Sequence, residues 1–385
     1  MTISLKLKEK MEASDWVTLM FKRIDAGEVF DFTLGNPEID PPQAFMDRLK
    51  QVVNNHHPDM HRYTPLIGFT ETRESVAQNL SREGDMTVRA RHVIMTAGAT
   101  AALNCIFKTL LNPGEEVILL APYFVEYPYY IDNHGGVSKV AETNQDFSIN
   151  IDAIAAQINP RTKAIIINSP NNPTGAVYSE KSLQDVGALL RDKSREFKRD
   201  IFLIADEAYR YILFDGLKLP NVFKAYENAI IAASYSKQLS IPGERVGYAV
   251  VNPKMSIGDD IMEAMTFANR ILGYLGAPSF MQKVITPLQG VCVDIKEYQD
   301  RRDLFCDALE KFGYSFIRPK GTYYIFSQCP VDESRFIEVL ARDGILVNPG
   351  SGYGRSGHFR IAFCVKREKI EKSLSGFKKA METLL

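Results

Sequence analysis

The stretch Ala229-Ile230-Ile231-Ala232-Ala233-Ser234-Tyr235-Ser236-Lys237 carries a continuous apolar run straight into a lysine, with Arg245 and Gly247 close behind. A lysine after a short apolar strand is, taken alone, an ordinary solvated surface residue. Here the run is one of a series. Val93-Ile94-Met95, Glu116-Val117-Ile118-Leu119-Leu120, Ala164-Ile165-Ile166-Ile167, Ile201-Phe202-Leu203-Ile204 and Val246-Gly247-Tyr248-Ala249-Val250-Val251 are equally short and bounded by turn residues. Continuous rather than alternating apolar runs predict strands buried on both faces. Helical stretches such as Thr100 to Leu111 and Ser182 to Lys198 lie between them. The expectation is an α/β fold with helices on both sides of a sheet.

The last third changes character. A helical pattern from Glu297 to Phe312 leads into Tyr323-Tyr324-Ile325-Phe326, then a helix, then Phe359-Arg360-Ile361-Ala362-Phe363 and a closing helix. This reads as a smaller α+β domain. Gly35-Asn36-Pro37 and Pro41-Pro42 break the pattern near the start, so the first residues are expected to join it. The division is residues 46–290 for the large domain, with 1–45 and 291–385 forming the small one.

The 385 residues suffice for one large core and a second unit. Charged residues make up 24% and the formal net charge is −1, a balance that disfavours nucleic acid or an anionic membrane as the main partner. Five scattered cysteines without a CxxC pair argue against a zinc ribbon or a disulfide framework. No apolar h-region and no run of roughly 18 apolar residues is visible, so a cytoplasmic protein is expected. Asn79-Leu80-Ser81 is a chance match to a glycosylation sequon.

Three strings stand upstream of Lys237 in order: Thr96-Ala97-Gly98-Ala99-Thr100, Asn172-Pro173-Thr174-Gly175 and Asp206-Glu207-Ala208-Tyr209. With Lys237 they supply a phosphate cradle, an amide, an acid, a phenol and an amine. Pyridoxal 5′-phosphate needs that set, since it is held at its aldehyde carbon, its pyridine nitrogen and its phosphate. Lys237 is the candidate for the aldehyde, given a lowered pKa. Asp206 follows an apolar strand, at the carboxyl edge where ligands of open α/β sheets collect, and could keep the pyridine nitrogen protonated. A plain helix cap is the bland reading. Asn172 and Tyr209 could donate to the ring oxygen, although Asn-Pro-Thr-Gly alone is an ordinary turn. Gly98-Ala99-Thr100 opens a helix, so backbone N–H groups and the dipole face an anion; otherwise it is a simple strand-to-helix connection. Ser234, Ser236 and Arg245 would add two hydroxyls and a fixed cation. Arg360, flanked by apolar residues, could grip a substrate carboxylate, or form a structural ion pair.

Two motifs are set aside. Gly352-Tyr353-Gly354-Arg355-Ser356-Gly357 fits GxGxxG, but a strand-like run follows it, and it reads as a flexible loop near the active site. His57 and His61 have helical i, i+4 spacing without the acid of an HExxH motif and read as surface histidines.

At this point the chain resembles the fold-type I, class I/II aminotransferases, the family of aspartate and aromatic aminotransferases, from Leu34-Gly35-Asn36-Pro37 to Phe359-Arg360-Ile361. The resemblance implies a mostly parallel seven-stranded sheet between helices in the large domain. It implies that Lys237 bonds the cofactor aldehyde, Asp206 pairs with the pyridine nitrogen, and Asn172 and Tyr209 bind the ring oxygen. Ala99, Thr100, Ser234, Ser236 and Arg245 match the phosphate site, Arg360 the α-carboxylate binder, and Phe124 the aromatic stacked on the ring. Gly35 matches the glycine that lets the N-terminal segment close over substrate. Tyr63 matches a tyrosine reaching the phosphate of the neighbouring subunit, which implies a homodimer with shared active sites. Thr72-Arg73 departs from a common Leu-Arg. In Phe267 to Gly276 no substrate-reading motif can be placed, although Arg270 is a candidate to reach a distal carboxylate across the dimer.

The implied reaction moves an amino group between an L-α-amino acid and a 2-oxo acid, with Lys237 as general base at Cα. A pyridoxal-phosphate carbon–sulfur β-lyase would share every residue named. A ligand-sensing module of a transcription regulator would need a basic helix-turn-helix extension, for which there is no room before Gly35.

Overall fold

The structure is a computed structural model that describes residues 4, 7, 8, 10, 11, 29–55 and 60–384. His57 lies outside them. A two-residue strand, β1 (Phe30–Asp31), comes first. The main sheet follows: β2 (Val93–Thr96), β3 (Glu116–Ala121), β4 (Val137–Glu142), β5 (Thr162–Asn168), β6 (Phe202–Asp206), β7 (Ala229–Ser234) and β8 (Gly247–Val251). Its order is β2-β8-β7-β6-β5-β3-β4. Only β8 runs antiparallel to its neighbours; the other pairings are parallel. The expected seven-stranded, mostly parallel sheet is present.

Six strands coincide with the apolar runs, and the reason is visible in the packing. Ile118, Ile165, Leu203, Ile231 and Val250 belong to one apolar cluster, while Val117, Ile166, Ile204, Ile230 and Ala249 belong to another. Successive side chains point to opposite faces of a strand, so both faces of the sheet are covered. β4 escaped the residue reading because it is an edge strand. Val137 and Val140 are exposed there and only Ala141 is buried.

The helices keep to their signals. Glu180–Phe197 starts at Ser179, whose side chain accepts from the Ser182 N–H, and stops at Lys198 in the left-handed conformation. Gly98–Leu110 is buried along most of its length and begins directly at the end of β2.

A second core is built mainly from the last third, with Phe305, Leu309, Ile325, Phe336, Phe359, Ile361 and Phe377. Phe32 inserts into it against Phe305 and Phe377 at centroid distances of 5.4 and 6.0 Å. An antiparallel three-stranded sheet, in the order β11 (Asn348–Pro349), β12 (His358–Ala362), β9 (Tyr324–Gln328), carries Arg360. β1 pairs in parallel with β10 (Ile345–Leu346), so the chain after Asp31 runs beside that sheet.

The Gly352–Gly357 segment departs from expectation. Gly350–Tyr353 forms a 3₁₀ turn rather than a loose loop, because Tyr353 is buried and its hydroxyl accepts from Asn348 Nδ2 at 2.9 Å. The five cysteines are unpaired. Asn79 is buried and donates to Glu83 and Tyr211, each at 2.8 Å, so the sequon is no acceptor in this fold.

Candidate active site

Strand register sets a row of functional positions along one edge of the main sheet. Asn168 pairs with Asp206, Asp206 with Ala232, and Ser234 with Gly247, which pairs in turn with Thr96. These are the carboxyl ends of β5, β6, β7 and β2, where backbone groups stop pairing and turn toward a ligand. A cavity of about 460 Å³ opens there. Its walls bring together Lys237, Asp206, Tyr209, Asn172, Phe124, Ala99, Thr100, Ser234, Ser236, Arg245, Gly35 and Arg360. Of the residues singled out in the sequence, Tyr63 and Arg270 stand apart: Arg270 is exposed outside the cavity, and Tyr63 is 88% exposed and lines a different opening with Tyr274 and Leu275.

Lys237 reaches the cavity from the turn after β7. Its Nζ donates to the Gly35 carbonyl at 2.8 Å and lies 5.9 and 5.8 Å from the ring centroids of Tyr209 and Tyr323. Enclosure by protein atoms lowers its pKa to about 8, with the nearby Arg360 and Arg245 charges acting in the same direction. Asp206 is buried; its carboxylate accepts from Tyr127 Oη at 2.7 Å and from the Ala208 N–H at 3.1 Å. Burial raises its pKa, and the Tyr127 bond opposes that shift.

Asn172 is fixed from behind. Asn168 Oδ1 accepts its backbone N–H at 2.7 Å, and Asn168 Nδ2 donates to the Asp206 carbonyl at 2.9 Å. Asn172 Oδ1 accepts from Arg360 Nη1 at 2.9 Å, while Arg360 Nη2 donates to the Thr33 carbonyl. The guanidinium is held between the rings of Tyr324 and Tyr353, 4.3 and 4.9 Å from their centroids. Its Nε is buried without a partner among the described residues. No carboxylate faces Arg360, so the structural ion pair considered from sequence is not formed among the described residues. Tyr209 shares a hydrogen bond of 2.8 Å with Tyr324.

At the start of the Gly98–Leu110 helix, Gly98 has φ +84°, and a Cβ there would come within 3.0 Å of Arg245 Nη2. The glycine therefore lets the guanidinium lie against the helix start, beside free N–H groups. Arg245 Nη1 donates to the Pro242 carbonyl at 2.8 Å. Sequence reasoning missed Tyr127, Asn168, Tyr324, Tyr353 and Asn348, which position the others. Asn168 directly follows the run Ala164-Ile165-Ile166-Ile167, Tyr127 lies three residues after Phe124, and Tyr323-Tyr324 was read only as a strand.

The donor set matches pyridoxal phosphate at each of its three anchor points. An anion cradle with a fixed cation, a buried acid and a buried amine of lowered pKa line one cavity.

Comparisons with known proteins bear on the whole chain. The family profile for aminotransferase class I and II matches residues 27–377. The chain is 30% identical to a probable aspartate/prephenate aminotransferase of Thermus aquaticus, over 91% of each chain. Its fold superposes on a crystal structure of an amino transferase from Eubacterium rectale with a TM-score of 0.90 and 36% identity, covering 99% of this chain and 96% of the other. It also superposes on aspartate aminotransferase from Thermus thermophilus with maleate, with a TM-score of 0.83 and 27% identity over 99% and 97%. These relatives speak for transamination and not for the lyase alternative. The chain belongs to the class I and II aminotransferases, enzymes that use pyridoxal phosphate to carry an amino group from an amino acid to a 2-oxo acid.

Proposed function

We propose that the residues of this cavity divide the work of transamination as follows. Lys237 holds the cofactor at its aldehyde, Asp206 at its pyridine nitrogen, and Asn172 and Tyr209 at its ring oxygen. Ala99, Thr100, Ser234, Ser236 and Arg245 hold the phosphate, and Phe124 packs on the ring. When bound, the cofactor supplies an electron sink for the charge left at Cα of the amino acid.

Lys237 Nζ is the base that takes the Cα proton and the acid that returns it. A pKa of about 8 leaves a usable fraction of neutral amine near neutral pH. Asp206, buried and bonded by Tyr127, is ready to face a protonated ring nitrogen, and a cation opposite favours its ionised form. Arg360 grips the α-carboxylate: its Nη2 now spends a bond on the Thr33 carbonyl, which a carboxylate can replace with a charged acceptor. Gly35 lies where the N-terminal segment crosses the cavity. A Cβ there would sit 1.9 Å from Tyr324 Oη, so only glycine permits that approach.

The assembly is a homodimer. Tyr63 is supported in its role at the partner's phosphate by its exposure and by the exposed Phe267, Ile271 and Leu275, the last lining the same opening as Tyr63 beside Ala97. Arg270 is exposed on the same helix as Phe267 and Ile271. Residues 46–290 form the large domain and 1–45 with 291–385 the small one. A cytoplasmic location is supported by the unpaired cysteines; among the described residues no helix is long and apolar enough to cross a membrane.

The observation that carries this reading is the meeting of the Lys237 amine, the Asp206 carboxylate and the Arg360 guanidinium in one cavity. The test is a half-reaction: cofactor-loaded protein is mixed with a panel of L-amino acids and no oxo acid. The expected result is conversion of the bound cofactor to its amine form with one equivalent of oxo acid released. Continuous release of pyruvate and ammonia would contradict it.

A further inference from the structure

The charges on the cavity wall are unequal to the needs of a substrate with two carboxylates. Three cations line it: Lys237, Arg245 and Arg360. The proposed function engages each of them, at the aldehyde, the phosphate and the α-carboxylate. Two acids also line it, Asp206 and Glu126. Asp206 is satisfied by Tyr127 and Ala208. Glu126 is different.

Glu126 is half-buried just before the Tyr127–Asn133 helix, yet its side chain caps no backbone N–H there. Among the described residues no hydrogen bond or salt bridge ends on its carboxylate. Burial raises its pKa with no cation acting against that shift, so the carboxylate is desolvated without a partner among the described residues. A structural role is thus missing for a charge placed in a ligand cavity. Val125 and Leu34 add apolar side chains to the lining of the same cavity.

We propose that Glu126 reads the substrate side chain, and that the preferred amino donors are L-amino acids with a cationic head on a methylene stem, the class of ornithine and lysine. The stem lies along Val125 and Leu34 and the head meets Glu126. A distal carboxylate, as in aspartate, meets a like charge and no uncommitted cation among the described residues. This inference rests on the transaminase reading above and deepens it.

The experiment uses the cofactor-loaded full-length protein with ornithine, alanine and aspartate as donors. Alongside turnover, calorimetry gives the dissociation constants of their 2-methyl analogues, which lack the Cα hydrogen and bind without Cα proton transfer. Wild type is expected to favour ornithine over aspartate by roughly tenfold or more in kcat/KM, and 2-methylornithine over 2-methylaspartate in binding. Glu126→Gln should lower the ornithine-to-alanine ratio roughly tenfold, and Glu126→Lys should raise the aspartate-to-alanine ratio. A wild type that favours aspartate, or ratios that do not move in Glu126→Gln, would overturn the proposal; a cation from the partner subunit, such as the Arg270 arm, would then occupy this wall. Turnover of any donor leaves the transaminase reading standing in that case. Absence of turnover with every donor sinks that reading instead, and the binding constants still decide the role of Glu126.

Discussion

Lys237 sits in surroundings that oppose its own charge. Its pKa falls from 10.5 to about 8, chiefly through burial. At about 1.4 kcal/mol per pH unit, that corresponds to about 3 kcal/mol of folding free energy given up to keep a neutral amine at hand. The sign follows from proton binding. Between pH 8 and 10.5 the unfolded chain holds a proton on this lysine and the folded chain does not, so stability rises with pH across that window. Below pH 8 the penalty is present in full. Cofactor-free Lys237→Met is therefore expected to be more stable than wild type at pH 7, by up to about 3 kcal/mol in urea unfolding, with the gap closing above pH 10. A gap that does not depend on pH would show that packing, not charge, sets it. The residues that could be named from sequence are those with the chemistry the proposed cofactor site requires, because an amine, an acid and an arginine at strand ends are conspicuous. Tyr127, Tyr324 and Tyr353 were illegible: an aromatic in an apolar context looks like core until the fold turns its hydroxyl or face toward Asp206 or Arg360.

At the scale of elements, the site depends on how closely β7, β8 and the start of the Gly98–Leu110 helix approach one another. Gly247 marks the closest point. A Cβ there would come within 2.5 Å of the Ala233 carbonyl and 2.9 Å of Gly98 Cα. Gly247→Ala must push backbone apart, and overpacking of this kind costs about 1–3 kcal/mol. A lowered melting temperature together with weakened pyridoxal phosphate binding is expected, read by calorimetry and by absorbance titration. A variant that melts and binds like wild type would show that the contact is not tight. The same scale explains what the sequence revealed of the fold. Strands buried on both faces write themselves as unbroken apolar runs, so six of the main-sheet strands were visible. β4, an edge strand with exposed valines and one buried residue, looked like surface. The very short β1, β10 and β11 carry too few residues to show any period; they exist because tertiary pairing holds them.

Over the whole molecule, the two cores meet around one cavity, and the N-terminal segment stitches them. Arg360 and Asn348 donate to the Thr33 carbonyl, Lys237 and Tyr323 to that of Gly35. The side chains proposed to anchor cofactor and substrate thus hold the segment in place. No sequence pattern announces such bonds, since they engage backbone carbonyls regardless of side chain. The proposed homodimer is tested through the exposed Tyr63. Sedimentation is expected to give twice the chain mass of 43.4 kDa, and Tyr63→Phe to weaken cofactor binding roughly tenfold while that mass is unchanged. A fully active species with the mass of one chain would contradict the shared site.

The most direct test of the central claim is chemical. Cofactor-loaded protein is reduced with borohydride, digested, and mapped by mass spectrometry. The mass of the reduced cofactor is expected on the peptide containing Lys237, and Lys237→Ala should leave every peptide unlabelled and transamination abolished. Label on another lysine, or turnover retained by Lys237→Ala, would contradict the assignment of the amine on which the rest of the site is arranged.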